Sequence, residues 1–283
     1  MKITSPLIHA FLEICRSRSL TLAAKQLGLS QPALSLRLKS LEDLVEETLL
    51  LRQRDGVVLT EAGERFLRFA ETIEGLEHEC LADLRHDEAL KGSLRIGTFS
   101  TIGRSLVLPA IAQVMREHEH LQLNYSMKEI RELPGLLHTG EMDIIFLDYP
   151  LGREGVENQL LGHEKYVMIT GADHPKAPEV YLNHDESDMM SFRYWESLGE
   201  PRKTLQRRFL DEIYHVIDGV AAGIGVSVLP RHLIENDERI RILKPRQIYE
   251  SPVYMVTKKR QWRPKHLSLM MEALSKDLKA GLK

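Results

Sequence analysis

Gln31, Pro32, Ser35, Leu36 and Lys39 fall together on or beside one side of a stretch whose other side is Leu34, Leu38, Leu41 and Val45. At 100° per residue the leucines make a core stripe, and the first set faces outward. Glutamine and serine can hydrogen-bond the edges of bases, and lysine can neutralise a phosphate. A purely structural helix can expose the same residue types, so the reading depends on what surrounds them. A second group is Ser100 and Thr101, which follow an apolar strand-like run and precede a helical one. Hydroxyls and free backbone N–H groups at such a junction can hold a small anion.

The first group needs a helix held against two others. Pro6 can open a helix whose apolar side is Leu7, Ala10, Phe11 and Ile14. Ser19 is a helix-capping type before Leu22, Ala23 and Leu27, and Gly28 can end that helix. Ser30 caps the third, with Pro32 in its first turn. Two helices joined by a tight glycine-containing turn form a helix-turn-helix unit. Leu49-Leu50-Leu51-Arg52 and Val57-Val58-Leu59 around Arg54-Asp55-Gly56 predict a small hairpin with a polar tip that reaches along a nucleic-acid backbone. From Thr60 to about Leu90 there is no proline, and Phe66, Phe69, Ile73, Leu76, Cys80 and Leu84 repeat at nearly heptad spacing. That pattern predicts a long amphipathic helix with a seam, Cys80 within it.

After Lys91-Gly92-Ser93 the pattern becomes alternating strand and helix. Strands are expected at 94–98, 121–125, 143–147, 166–170, 226–230 and 253–257, with helices at 106–115, 133–138 and 266–278 between or after them. Alternation of this kind predicts an α/β domain with mostly parallel sheet.

The chain has 283 residues, 43% hydrophobic and 28% charged, and suits about two domains. Two cysteines exclude a disulfide scaffold and favour a reducing compartment. No apolar run approaches a membrane span and no signal-peptide pattern opens the chain, so a cytoplasmic location is expected. Residues 1–41 hold six Lys or Arg against one acid; residues 61–90 hold three against nine. A basic head before an acidic stretch fits a polyanion-binding module. Enzyme motifs are weak. Gly223-Ile224-Gly225 lacks a third glycine, no phosphate loop or nucleophile elbow occurs, and His118-Glu119-His120 reads better as a solvated helix end than as a metal clip. No metal, cofactor or catalytic residue is expected.

The segment Ser19-Leu20-Thr21-Leu22-Ala23-Ala24-Lys25-Gln26-Leu27-Gly28-Leu29-Ser30-Gln31-Pro32-Ala33-Leu34-Ser35, with Leu41-Glu42 and Leu59-Thr60-Glu61-Ala62-Gly63 after it, closely resembles the winged helix-turn-helix of LysR-type transcriptional regulators. Farther on, Gly92-Ser93-Leu94-Arg95-Ile96-Gly97, Leu108-Pro109, Gly140-Glu141-Met142-Asp143, His174-Pro175 and the run 220–230 fall in the family's order. The resemblance implies an N-terminal all-α winged helix-turn-helix at 1–60, a linker helix at 61–90 that pairs two subunits, and a regulatory domain at 91–283. That domain would be a two-lobed, periplasmic-binding-protein-like α/β unit, with lobe I at about 93–162 plus 261–283 and lobe II at about 163–260.

The resemblance places DNA contacts on Ser19, Thr21, Ser30, Gln31, Pro32, Ser35, Lys39, Arg52 and Arg54. It implies a small effector held between the lobes and touched by Ser100; position alone adds Thr101, puts Phe146, Thr170 and Phe192 at strand ends as walls and Arg104 as a further charge, and the expected effector is anionic or polar. Implied partners are double-stranded promoter DNA, the effector, further copies of the chain as homodimer or homotetramer, and RNA polymerase, with no membrane. Two departures stand out. The family has Gly and Phe where this chain has Glu46 and Leu50, so the turn into the wing is expected to differ. A lobe II helix is expected to shrink to about 197–205. The alternatives are an enzyme on the same two-lobed fold, which would need paired catalytic groups in the cleft, and a ligand-sensing module without DNA binding, which the intact 30–35 segment argues against.

Overall fold

The computed structural model describes residues 3–53, 56–85, 90–259 and 263–282, with 78–79 and 82–85 described for their backbone alone. The N-terminal unit begins with α1 (Ser5–Ser17), α2 (Leu20–Gln26) and α3 (Gln31–Val45), followed by the antiparallel hairpin β1 (Leu50–Gln53) and β2 (Gly56–Leu59). Phe11, Ile14, Ala23, Leu34 and Leu41 are buried in its core, and Val45 lies at the edge. Leu22, read as part of the apolar face, is instead exposed, because α2 spans only seven residues and turns Leu20, Ala23 and Ala24 inward.

The helix α4 (Glu61–Arg85) starts at Thr60, whose hydroxyl accepts the Gly63 N–H at 2.9 Å. Gly63 has no room for a side chain: a Cβ there would lie 2.0 Å from the Leu49 carbonyl oxygen. The first half of α4 is anchored to α1. Phe66 meets Phe11 edge to face with ring centres 5.0 Å apart, and Arg16 is ion-paired with Glu74.

The rest of the described chain builds a mixed sheet and its helices. In order come β3 (Gly92–Thr98), α5 (Ser100–Ile102), a π turn (Gly103–Val107), α6 (Leu108–Glu117), β4 (Leu121–Met127), α7 (Leu133–Thr139), β5 (Ile144–Leu147) and β6 (Val156–Gly171). Then follow β7 (Tyr181–Asn183), α8 (Met190–Ser197), β8 (Arg207–Phe209), α9 (Ile213–Ala221), β9 (Ser227–Pro230), α10 (Arg231–Ile234), β10 (Ile240–Ile242), β11 (Tyr249–Lys258) and α11 (Lys265–Gly281).

The main sheet runs β10-β6-β11-β5-β3-β4, with β9 also paired to β6. Only β3 is parallel to its neighbours β4 and β5; every pairing of β6 and β11 is antiparallel. The expectation of mostly parallel sheet is therefore corrected. β6 is sixteen residues long and is shared by both lobes. Its first part joins β11 beside β5, its last part joins β9 and β10, and the β6–β11 register slips at Val253/Tyr254.

One lobe packs Leu94, Ile96, Ile111, Phe146, Met255 and Leu274 around β3 and β11. The other packs Val167, Ile169, Leu182, Val216 and Leu229 on one face of β6, and Met168, Tyr181, Tyr194 and Trp195 on the other. The helix expected at 197–205 is not there. The helix of this region is α8, which lies earlier and buries Ser191, Tyr194 and Trp195, spaced i, i+3 and i+4, and 199–206 has no helix. The helix expected from Leu106 begins at Leu108, after the π turn.

Candidate DNA interface and inter-lobe cleft

Local chemistry sets the pose of α3. Ser19 and Ser30 are helix caps: their hydroxyl oxygens accept the N–H of Leu22 at 3.4 Å and of Ala33 at 3.3 Å. Between them Gly28 takes φ +64°, the left-handed conformation that ends α2. The outward face then presents Gln31, Pro32, Leu36 and Lys39 to solvent, with Ser35 half-buried at the wing. Leu36 is 65% exposed. Thr21 is exposed in the first turn of α2.

The wing is tied to α3 from both ends. The Glu42 carboxylate accepts the N–H groups of Leu49 and Leu50 at 2.8 and 3.2 Å. Arg52 donates from Nη2 to Ser35 Oγ at 3.3 Å, which joins the wing arginine to α3. Gly56 packs against the Arg18 carbonyl so closely that a Cβ would lie 2.5 Å away. Arg54 lies outside the described residues. The turn into the wing keeps the glycine geometry after all: Glu46 sits at φ 57°, ψ 28°, so a side chain is carried in a conformation that favours glycine.

Of the seam residues on α4, Phe66 is buried in the N-terminal core and Ile73 packs against that core. Leu76 is half-buried, while Phe69 (43%) and Cys80 are exposed, joined by Leu81 at 45%. The side chain of Leu84 lies outside the described residues. Sequence periodicity merged two faces here, one packed on the helix's own domain and one open. Burial pushes the Cys15 thiol, on the packed side, up to about 12.

A cleft of about 700 Å³ opens between the lobes, lined by Ser100 and Thr101 on one side and by His184, Asp185, Asp188, Met189 and Arg193 on the other. Phe146, Thr170 and Phe192 do not line it. Phe146 is fully buried in a lobe core because β5 is covered on both faces. Thr170 is buried with its hydroxyl donated to the His174 carbonyl at 3.1 Å. Phe192 lies under the Arg207 guanidinium at 5.3 Å. Arg104 does not enter the cleft either; it stacks on Tyr214 at 4.3 Å.

Residues missed from the sequence hold the lobes together. Glu164 on β6 is 1% exposed and accepts the Thr101 hydroxyl at 3.0 Å and the Tyr166 phenol at 3.1 Å. Its other oxygen lies 2.9 Å from His232 Nε2, and His232 Nδ1 lies 3.2 Å from Ser105 Oγ. Across the cleft, Asp148 faces Arg193 at 3.4 Å and Glu129 faces His184 at 3.7 Å. The lining holds Glu129, Glu132, Asp148, Asp185, Asp188 and Glu212 against Lys128, Arg131 and Arg193. That balance runs against an anionic effector. The only sequence signal for it was the polar run His184-Asp185-Glu186-Ser187-Asp188, which reads as a solvated turn.

No helix among the described residues is long and apolar enough to cross a membrane. The family model described as "Bacterial regulatory helix-turn-helix protein, lysR family" matches residues 6–64, and "LysR substrate binding domain" matches 87–279. A curated relative, the RuBisCO operon transcriptional regulator of Allochromatium vinosum, is 27% identical over 276 residues, covering 93% of this chain and 89% of that one. Among solved structures, ArgP of Mycobacterium tuberculosis aligns with TM-score 0.70 at 18% identity over 99% of each chain. Full-length LysG of Corynebacterium glutamicum, solved with the effector Arg bound, aligns with TM-score 0.65 at 18% identity over 98% of each. With a winged helix-turn-helix leading into a two-lobed domain and both family models matched in that order, the chain belongs to the LysR family: it is a DNA-binding transcriptional regulator with an effector-binding domain.

Proposed function

We propose that α3 enters the major groove of promoter DNA, that Gln31 and Ser35 read base edges, and that Pro32 packs beside them. Thr21, Lys39, Arg52, Arg54 and the cap hydroxyls of Ser19 and Ser30 hold phosphates. The observation that carries this reading is the Arg52–Ser35 contact, which sets a phosphate-seeking guanidinium and a base-reading hydroxyl in one rigid unit. Two copies pair through the open face of α4, where Phe69, Leu76, Cys80 and Leu81 lie, so that two half-sites are gripped at once. The working units are the DNA-binding domain at 1–60, the linker helix at 61–90 and the regulatory domain at 91–283, with the lobe division near 162. A small molecule held against Ser100 and Thr101 changes the lobe angle and so the grip on DNA. The protein acts in the cytoplasm, without catalysis, as dimer or tetramer, and passes its signal to RNA polymerase.

The test begins with DNA fragments recovered from cells with the protein. Electrophoretic titration on the recovered site against random DNA should show Gln31→Ala losing preference for the site alone. Ser100→Trp should abolish any ligand response and leave operator binding intact, because the DNA-binding unit has its own core. Equal loss on both DNAs for Gln31→Ala would defeat the base-reading role.

A further inference from the structure

Charge in the cleft is sorted by depth. Of the lining acids, Glu129, Asp148, Asp185, Asp188 and Glu212 are half-buried and Glu132 alone is exposed. The lining cations Lys128, Arg131 and Arg193 are all exposed at the rim. A charge at the rim is screened by water and salt, whereas one partly withdrawn from water acts through a lower dielectric. The field that a bound molecule meets inside is therefore negative.

Asp148 faces Arg193 at 3.4 Å, and His184 lies 3.7 Å from Glu129 and 3.9 Å from Asp185; the other contacts of these acids are with hydroxyl and backbone donors. Asp185 accepts bonds from the Ser187 hydroxyl and from the N–H groups of Ser187 and Asp188, which hold its carboxyl below the usual range. Asp188 accepts the N–H of His184 at 3.1 Å and of Met190 at 2.9 Å. Glu212 caps α9 through the N–H groups of Tyr214 and His215. Backbone donors stabilise a carboxylate but leave its net charge in place. Among the described residues, neither Asp188 nor Glu212 has a Lys or Arg in ion-pair contact. The Tyr166 phenol at the floor is pushed well up, first by burial and then by the charges of Glu164 and Asp188. Beside the acids stand the exposed apolar surfaces of Met127, Met189 and Tyr149.

We propose that the effector carries a positively charged nitrogen, an ammonium or guanidinium, on an apolar stem. The cationic group sits among Asp148, Asp185 and Asp188, and the stem lies on the methionines and the Tyr149 ring, whose face also attracts cations. This rests on the reading of the cleft as the effector site.

The full-length protein should be titrated calorimetrically, and followed by thermal shift, with arginine, agmatine and cadaverine against glutarate and succinate. At least one amine should bind, more weakly as salt rises, and Asp188→Asn or Asp148→Asn should each weaken it about tenfold or more, as expected for loss of a charge-assisted contact. Two variants are used so that misfolding of one leaves the other to decide. Binding of a dicarboxylate and no amine, or of no amine at all, overturns the charge assignment. Ser100→Trp, which sets a bulky ring at the proposed contact point in the cleft, separates the two ideas. Dicarboxylate binding lost to Ser100→Trp keeps the cleft and overturns the cation, while amine binding indifferent to Ser100→Trp and to both acid variants overturns the cation and the cleft reading together.

Discussion

Removing His232 should cost the regulatory domain more than its size suggests, and removing Glu164 with it should return part of that cost. The Glu164 carboxylate is 1% exposed and loses its 2.9 Å contact when His232 becomes Leu. Breaking a buried pair by deleting one partner costs about 3–5 kcal/mol. Thr101 and Tyr166 still donate to the other oxygen, and hydrogen bonds to charged groups are worth about 1.5–3 kcal/mol each, so His232→Leu is expected at about 2–4 kcal/mol. In Glu164→Leu/His232→Leu no carboxylate is stranded, and the double variant should be more stable than the sum of the singles by about 2 kcal/mol. Urea unfolding read through Trp195 measures this in a Trp262→Phe background, since the Trp195 indole is buried and donates to Tyr181 at 2.9 Å. The pair joins β6 to α10 and, through Thr101 and Ser105, to the opposite lobe. A coupling below about 0.5 kcal/mol would refute the reasoning, because it would mean that the carboxylate is solvated by water rather than held by the imidazole.

Further outcomes follow from the same geometry. Gln31→Ala and Ser35→Ala should each reduce operator preference by about 1–3 kcal/mol, and Arg52→Ala should weaken all DNA binding and lower the salt slope by about one phosphate contact; electrophoretic titration at several salt concentrations reads both. Glu46→Gly should raise the unfolding free energy of the N-terminal domain by up to about 1 kcal/mol in urea titration, since it relieves a left-handed side-chain residue. Phe69→Glu should lower the sedimenting mass, as an exposed aromatic in a subunit contact is replaced by a charge costing on the order of several kcal/mol to bury, with an unchanged mass removing this face from the contact. The dissociated Phe69→Glu variant at pH 8 should take up iodoacetamide at Cys80 and not at Cys15: burial raises the Cys15 thiol to about 12, so it stays protonated throughout the neutral and mildly basic range, and peptide mass spectrometry shows which sulfur is modified.

The N-terminal unit was readable because its signals are local. Ser19, Gly28, Ser30 and Pro32 set helix starts and stops within a few residues of themselves, and α2 and α3 follow from them. The regulatory domain depends on pairings between distant segments. The first part of β6, Val156 to Lys165, shows no regular alternation of apolar and polar residues, and nothing near it marks a strand; it becomes one by lying along β11 some ninety residues away. β7 and β8 are three residues each, too short for any periodicity, yet the turn after β7 carries the acids that give the cleft its sign. Phe146 was misplaced for a physical reason visible in its own run. Ile144-Ile145-Phe146-Leu147 is apolar on both faces, which is the pattern of a strand covered on both sides and not of a wall open to a ligand.

One strand carries both ends of the communication between cleft and linker. β3 leads at its C-terminal end directly into Ser100 and Thr101, and near its middle Arg95 points to the linker helix. The Arg95 guanidinium makes a two-pronged contact with Asp143, 2.9 and 3.2 Å, and Nη1 lies 3.6 Å from the Glu71 carboxylate on α4. At about 3.3 Å per residue, roughly 10 Å of strand runs from Arg95 to the end of β3, just before the cleft hydroxyls. β3 is hydrogen-bonded to β4 and β5 on its two sides, so it moves with the lobe rather than within it. Burial pushes the Glu71 carboxyl up, more than Arg95 draws it down, so the carboxylate that faces the lobe is partly withdrawn from water. A small lobe rotation is therefore met at α4 by a partly desolvated ion pair whose energy changes steeply with distance. That is the arrangement a domain requires if it is to shift its DNA-binding partner through differential affinity without unfolding either one.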